Sequence, residues 1–347
     1  MVRLTEAFEA AAARFGTSER WYEIGGLPVR LTFAGQALMP AIDPALSHLA
    51  VERHATATLD VRLWDSASSG VPVPAEPEPG VAALVDPSVD IVRSAYHLVP
   101  RILSLFDPAS EQAVLWVPDA RQVPWNEVAS PLRTILHWWA RGRGLQFVHG
   151  GAVGIDGQAV LLAGPSGAGK STSALACLLG GLDYLGDDYL LVSTTGGPTV
   201  HSLYSAAKLQ PGHLHAFPEL SPLMANPGFG ADEKGLWFVQ QHFPERTRRQ
   251  AVARAVLVPR VTGRPETSLS PISAAAALIA LAPSTIVQLS GADQGSLSAI
   301  GAFLATVPAH SLELGTDLAG VATTVRRFLV GLGDGEGGSF ELSSGSM

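Results

Sequence analysis

The chain has 347 residues, of which 47% are hydrophobic and 16% charged, and its formal net charge at pH 7 is −8. This length allows two domains of about 100–200 residues each, and the apolar content can fill two cores. The acidic balance argues against the basic surface that follows a nucleic-acid backbone, so no nucleic acid is expected as a partner.

The sequence also gives expectations for the localisation of the protein and for the chemistry of its cysteine. The N-terminal stretch carries acids where a secretory signal needs an apolar segment, and no run reaches the length of a membrane span. We therefore expect a cytoplasmic protein without membrane contact. Cys177 is the single cysteine and lies in an apolar stretch, which favours a small buried hydrophobe over a nucleophile. A cluster of arginines could bind an acidic group, but a solvated helix face or turn is the better interpretation of Arg246, Arg248, Arg249 and Arg254.

Residues 1–130 have the pattern of a small α+β domain. In chain order, apolar spacing predicts a helix over 3–15, strands near Trp21–Ile24 and Val29–Phe33, a helix near Ile42–Leu49 and a strand near Ala57–Leu63. Prolines are interleaved with Ser, Gly and Glu over 65–87, which predicts an exposed insertion before apolar alternation resumes at Ile91. This domain could position an acceptor molecule, or it could build an oligomer or cover a sheet face.

The second predicted domain spans residues 131–330. It begins with a helix from Pro131 in which Trp138 and Trp139 are interpreted as packing groups. A turn at 154–157 then joins two apolar runs into a hairpin, and a helix over 171–179 ends at Gly180. A short strand at Tyr184–Leu185 follows. The tail, 331–347, is rich in glycine and serine and is interpreted as disordered.

A complete Walker A motif stands between the hairpin and the helix. Its glycines allow consecutive backbone N–H groups to surround a phosphate at the positive end of the helix. Lys170 is expected to reach the β- and γ-phosphates, and the Ser171 hydroxyl to bind Mg²⁺. The predicted nucleotide-binding residues are Gly164, Pro165, Ser166, Gly167, Ala168, Gly169, Lys170, Ser171 and Thr172. The expected ligands are therefore ATP and magnesium.

Paired carboxylates follow the next strand, at Asp187 and Asp188. One of them can hold Mg²⁺ while the other accepts the proton of an attacking hydroxyl. His149, at the start of the hairpin, could hydrogen-bond one aspartate and adjust its proton affinity.

These segments resemble a known family. His149-Gly-Gly-Ala-Val, the loop Gly164–Ser171 and Leu185-Gly-Asp187-Asp188 are similar, in order and spacing, to the C-terminal catalytic domain of HPr kinase/phosphorylase. The resemblance is good over about 146–195 and looser up to the helix near Val321–Phe328. It implies an α/β fold, namely a P-loop kinase domain of the HPr kinase / PEP carboxykinase type with a mixed sheet, preceded here by the smaller α+β domain.

The same resemblance implies roles for individual residues. His149, Lys170 and Asp188 would be catalytic, with Asp188 as proton acceptor, Asp187 in support and as a magnesium ligand, and Ser171 as the other magnesium ligand. It also favours a homo-oligomer. Lasso-peptide precursor kinases, which phosphorylate a serine, are relatives of this domain.

The chain departs from that family at two places. Residues 1–130 do not resemble the N-terminal domain of the HPr enzymes, and Ser205-Ala-Ala-Lys208 stands where the family has a glutamate-arginine-glycine signature. The second magnesium ligand, reverse phosphorylase activity and HPr itself as substrate are therefore not implied. Lys208 and Lys234 are candidate contacts to the transferred phosphate, although ordinary surface lysines are the better interpretation.

The sequence thus predicts an ATP-dependent serine kinase that transfers the γ-phosphate to a hydroxyl of a peptide, a protein or a small molecule. An ATP-binding regulatory module without transfer activity is one alternative. An enzyme resembling PEP carboxykinase is another, and it would need a dedicated metal site.

Overall fold

The computed structural model describes residues 1–74, 92–230, 232–289 and 292–333. The helices are α1 (Val2–Phe15), α2 (Met39–Leu46), α3 (Ser66–Ser69), α4 (Trp125–Ala129), α5 (Arg133–Ala140), α6 (Lys170–Leu179), α7 (Val239–His242), α8 (Ala274–Gln288), α9 (Gln294–Leu304) and α10 (Leu318–Gly333). The strands are β1 (Thr17–Ile24), β2 (Leu27–Ala34), β3 (Leu59–Asp65), β4 (Arg93–His97), β5 (Ile102–Asp107), β6 (Gln112–Val117), β7 (Gln146–Ile155), β8 (Gln158–Ala163), β9 (Asp183–Gly186), β10 (Tyr189–Ser193), β11 (Thr199–Ser202), β12 (Ala206–Leu209), β13 (Gly235–Phe238), β14 (Gln250–Val261), β15 (Ser268–Ile272) and β16 (Ala309–Leu314).

The first six strands form one mixed sheet in the order β1-β2-β3-β6-β5-β4. Strand β3 lies between β2 and β6 and is parallel to both. Because side chains alternate along a strand, β3 places Val61 and Leu63 in one apolar cluster and Trp64 in another. Helix α1 covers the Trp64 face through Phe8 and Ala11.

The second sheet has eight strands, with the path β11-β10-β7-β8-β14-β16-β15 and β9 paired to β7. Its centre is parallel, since β14 runs parallel to both β8 and β16, and β7 and β8 form an antiparallel hairpin. The alternation of β8 sends Leu162 to the face covered by α6 and α10, and Leu161 to the face covered by α8 and α9. The overall class is therefore mixed α/β.

The two sheets share one apolar cluster. Trp138 and Trp139 of α5 pack there together with Phe147 of β7 and Leu191 of β10, as well as with residues of β1, β2 and β3. The Trp139 indole N–H also donates to the Thr58 carbonyl at 2.9 Å. The interpretation of both tryptophans as packing groups is confirmed.

Most of the predicted elements are present, with one correction. Helix α10 runs to Gly333 and so includes the first three residues of the predicted tail, 331–333. Residues 334–347, and residues 75–91 with most of the predicted insertion and Ile91, lie outside the described residues. Within the described residues, no helix is both long enough and apolar enough to cross a bilayer.

Cys177 and the predicted arginine cluster make contacts within the protein. Cys177 is buried in α6, and burial raises the pKa of its thiol to about 12, as expected for a packing group. Arg248 forms an ion pair with Asp183 at 2.9 Å. Arg249 and Arg254 donate to main-chain carbonyls at 2.9 Å. These arginines therefore serve intramolecular contacts.

Candidate functional site

The loop over residues 164–169 joins buried strand β8 to helix α6. Gly167 and Gly169 have φ values of 83° and 100°, a region that residues with a side chain rarely adopt. A Cβ atom on Gly169 would also lie 2.5 Å from Cδ1 of Leu314. Glycine is therefore required at the N-cap of α6, where free backbone amides and the helix dipole favour an anion.

Lys170 is the first residue of α6 and is buried, with 6% of its surface exposed. Its Nζ donates to the carbonyl oxygens of Gly164 and Pro165 at 2.7 and 3.0 Å. Burial lowers the pKa of its ammonium group, and the nearby charges of Asp187 and Asp188 oppose that shift. The loop thus carries a desolvated cation beside its own N–H groups.

Asp187 directly follows strand β9 and is buried, with 3% exposed. It lies beside Gly151 of β7, where a Cβ atom would be 3.6 Å from Oδ1 of Asp187, an ordinary van der Waals contact. Burial raises the pKa of Asp187, the charge of Asp188 adds to the rise, and a hydrogen bond with Ser171 opposes it. A hydroxyl and a carboxylate held together in this way are hard oxygen donors of the kind that Mg²⁺ prefers.

Asp188 has both carboxylate oxygens occupied. Its Oδ1 lies 3.1 Å from Nε2 of His149, and its Oδ2 forms an ion pair with Nζ of Lys208. Burial disfavours the charged form, but Lys208 and His149 outweigh it and hold the pKa of Asp188 well below its ordinary value. Asp188 is therefore an ionised carboxylate with a fixed orientation, and its backbone is in the left-handed region at φ 77°.

Further contacts hold both partners of Asp188, His149 and Lys208, in place. The His149 backbone N–H donates to Oγ1 of Thr285 at 2.9 Å, and its ring lies 5.6 Å from the ring of Tyr189. Arg133 donates to the Tyr189 hydroxyl at 3.2 Å. The Lys208 ammonium lies 5.9 Å from the ring centroid of Trp125. Trp125 of α4 thus lies against Lys208, and Arg133 of α5 contacts Tyr189, which lies beside His149.

One cavity of about 480 Å³ joins these groups. Such a volume lies within the range of about 300–1,000 Å³ typical of small-molecule sites. The sequence-predicted residues that line it are His149, Ser166, Gly167, Gly169, Lys170, Ser171, Thr172, Asp187 and Asp188. The other predicted loop residues do not line it: Gly164, Pro165 and Ala168. Two of these three supply the carbonyls that hold Lys170.

The interpretation of Lys208 as an ordinary surface residue is wrong. Lys208 is 7% exposed and pairs with Asp188, because strand β12 runs past the end of β9. The amino-acid composition contains a signal for a role of Lys208 in the site. The chain contains three lysines, Lys170, Lys208 and Lys234. Apart from the histidines, all its other basic residues are arginines. All three lysines line this one cavity.

Magnesium would depend on few protein ligands here. Within the described ranges, no group of three or more His, Cys, Asp or Glu side chains could hold a metal ion. A phosphate-bound Mg²⁺ needs only one or two protein oxygens, since phosphate and water supply the rest. The pair of Ser171 and Asp187 fits that requirement.

Comparisons with known proteins add little to this geometry. No protein-family model matches the chain, and no curated protein matches it. Among solved structures, the Hpr(Ser) kinase/phosphatase from Coxiella burnetii is similar over 55% of this chain and 93% of that chain, with 14% sequence identity and a TM-score of 0.32. A TM-score at this level supports no argument, so function is inferred from the cavity itself.

Proposed function

We propose that the protein is an ATP-dependent kinase that transfers the γ-phosphate to a hydroxyl group. One observation carries the proposal: the loop 164–169 with Lys170, and the oriented Asp188 carboxylate, open into the same cavity. The first can bind phosphates and the second can accept a hydroxyl proton. Phosphoryl transfer requires mainly that these two functions be held next to each other.

The roles follow from the contacts. Loop amides and Lys170 would bind the β- and γ-phosphates and offset the charge that develops on them. Asp188 would orient the acceptor hydroxyl and take its proton as the new P–O bond forms and the bond to the leaving phosphate breaks. Lys208 keeps Asp188 ionised and oriented but also lowers its basicity, so the proton would move as the new P–O bond forms and not before it. His149 would fix the carboxylate from its other oxygen.

Ser171 and Asp187 would hold the magnesium ion. When bound, this ion neutralises phosphate charge. The burial of Asp187 disfavours its charged form, so a cation beside it would bring its pKa back down. Residues 131–330 would form the catalytic domain in this proposal, and a serine hydroxyl is the acceptor that the resemblance to HPr kinases suggests.

Lys170→Ala tests the proposal directly. We expect transfer from labelled ATP to be abolished, and MgATP affinity measured by calorimetry to fall at least about tenfold, because the loop loses its cation. The matched control is Arg260→Ala, an exposed basic residue of β14. Unchanged transfer in folded Lys170→Ala protein would contradict the proposal. Binding of MgATP by the wild type without transfer to any of a panel of hydroxyl acceptors would favour a regulatory module instead.

A further inference from the structure

Strands β12 and β13 form a two-stranded ribbon at one side of the cavity. Their register pairs Leu209 with Gly235, so Gln210 and Lys234 lie next to each other at the same end of the ribbon. Asn226 fixes this end, because its side chain bonds the Lys234 carbonyl at 2.9 Å and the Leu236 N–H at 2.8 Å. The position of Lys234 is therefore built into the fold.

The segment that follows Gln210 completes this side of the cavity. It is a 3-10 helix, Pro211–Ala216, that brings His213 and His215 to the cavity. We call His213, His215 and Lys234 the basic wall. Lys208, on the same ribbon and in the same cavity lining, forms an ion pair with Asp188. The wall therefore lines the same cavity as the proposed proton acceptor.

The basic wall has no carboxylate of its own among the residues that line the cavity. The acids in that lining are Asp187 and Asp188. Asp187 is hydrogen-bonded to Ser171, and Asp188 is paired with His149 and Lys208. Glu233, the sequence neighbour of Lys234, instead accepts the Gly230 N–H at 2.9 Å in its own turn. In a chain of net charge −8, such a local excess of cationic and N–H donor groups favours an anion.

Another part of the cavity lining is apolar. Val261, Leu314, Leu318 and Val321 line it, and Leu314 lies directly against Gly169 of the phosphate loop. An apolar wall suits a nucleobase, whereas lysine and histidine side chains suit a negatively charged group. A nucleotide with its base on the apolar wall and its phosphates on the loop leaves the basic wall to the second substrate.

We infer that the acceptor is an anionic molecule, whose carboxylate or phosphate group binds His213, His215 and Lys234 while its hydroxyl reaches Asp188. This inference rests on the proposed kinase function and narrows its substrate class. The basic wall would position the acceptor by its charge, and the choice of lysine over arginine leaves a compact ammonium that can adapt to either anion.

The test is a second anion-binding event on protein already loaded with magnesium and a non-hydrolysable ATP analogue. The probe is inorganic phosphate, measured by calorimetry. We expect phosphate to bind the loaded wild type, and Lys234→Met and the double variant His213→Gln/His215→Gln each to weaken it at least fivefold, while analogue affinity stays within twofold. The matched controls are Arg260→Met and His242→Gln, which are exposed residues outside the lining and should change neither affinity.

Three further compounds show which anionic group the basic wall binds. Glycerol 3-phosphate, glycerate and glycerol carry the same hydroxyl groups with a phosphate, a carboxylate or no charge. Binding of either charged compound, but not of glycerol, supports the inference and says which anion is preferred.

Two results would overturn it. The first is loaded protein that binds neither phosphate nor the charged compounds. The second is Lys234→Met protein that loses analogue affinity instead of phosphate affinity, which would assign Lys234 to the nucleotide. Failure of the proposed function is distinguishable, because the wild type would then either not bind the analogue or bind MgATP without transferring phosphate to any hydroxyl acceptor.

Discussion

The two sheets treat buried polar groups differently. In the six-stranded sheet, Asp65 is buried at the end of β3 and has a structural role, since it caps α3 by accepting the Ser68 N–H at 2.9 Å and also accepts the Ala120 N–H at 3.4 Å. Around the eight-stranded sheet, Lys170 of α6, Lys208 of β12 and the Asp187–Asp188 pair after β9 meet at one cavity. A buried charge that caps a helix stabilises its own segment, whereas charges gathered from several elements point to a ligand.

The sheets are not independent in stability. Phe147 and Leu191 of the second sheet lie in the same apolar cluster as Val61 and Leu63 of the first. Removal of residues 1–130 would expose that cluster. Point substitutions in the full chain are therefore the means to separate a structural region from a functional one.

The largest expected effect comes from Asp188→Asn. The amide keeps the shape of the side chain but cannot take a proton, so transfer should fall by about 10²–10⁴-fold, the usual contribution of a positioned general base. MgATP affinity should remain within several-fold. Steady-state transfer and calorimetry measure the two quantities. A loss of MgATP affinity that matches the loss of transfer would show that Asp188 is the metal ligand, and the proton acceptor would then be Asp187.

Asp65→Ala is the control in the first sheet, because it removes the N-cap of α3. It should lower the free energy of unfolding by about 1 kcal/mol, the usual contribution of a helix N-cap, and leave transfer per folded molecule unchanged. A large loss of transfer in this variant would mean that the two sheets are not functionally distinct.

The next effect is on stability alone. Leu63 of β3 is fully buried, so Leu63→Ala should lower the free energy of unfolding by about 2–5 kcal/mol through lost burial and a residual cavity. Urea unfolding measures this change. Because Leu63 does not line the cavity, kcat/KM of the folded fraction should stay within about threefold. A selective drop in kcat at unchanged stability would assign the first sheet a role in the reaction.

The last effect is a pH dependence at the contact between the sheets. His48 is buried against Ser202, and burial, with Arg249 adding, lowers its pKa to about 3. The unfolded chain binds a proton near the ordinary value of about 6.5, so the stabilisation is complete above that pH and is lost as pH falls towards about 3. Between pH 7 and about 5 we expect a loss of about 2 kcal/mol from this group. His137, whose pKa burial lowers to about 4, adds a loss of the same sign.

Urea unfolding at the two pH values measures this loss. His48→Gln should flatten the pH dependence, whereas His54→Gln, at an exposed position, should leave it unchanged. An equal slope in wild type and His48→Gln protein would show that His48 does not contribute.

The sequence could predict what is local. The hairpin of β7 and β8, the loop to α6 and the short strand before Asp187 each depend on contiguous patterns of glycine, apolar and acidic residues, and the structure has all of them. The sequence offers Lys208 only as a weak candidate, because its pairing with Asp188 joins β12 to the residues after β9, which no nearby spacing encodes. The insertion of β6 between β3 and β5 is likewise a long-range pairing.

The distribution of lysine has a practical consequence. Since every lysine side chain of the protein borders one cavity, amine-directed chemistry reports on that cavity and on the chain's α-amino group. Reductive ¹³C-methylation would introduce resonances from no lysine outside this cavity, and the signals obtained would show which of Lys170, Lys208 and Lys234 the reagent reaches. Addition of MgATP or of an acceptor could then be followed as changes in these signals, one wall of the cavity at a time, before the natural acceptor is known.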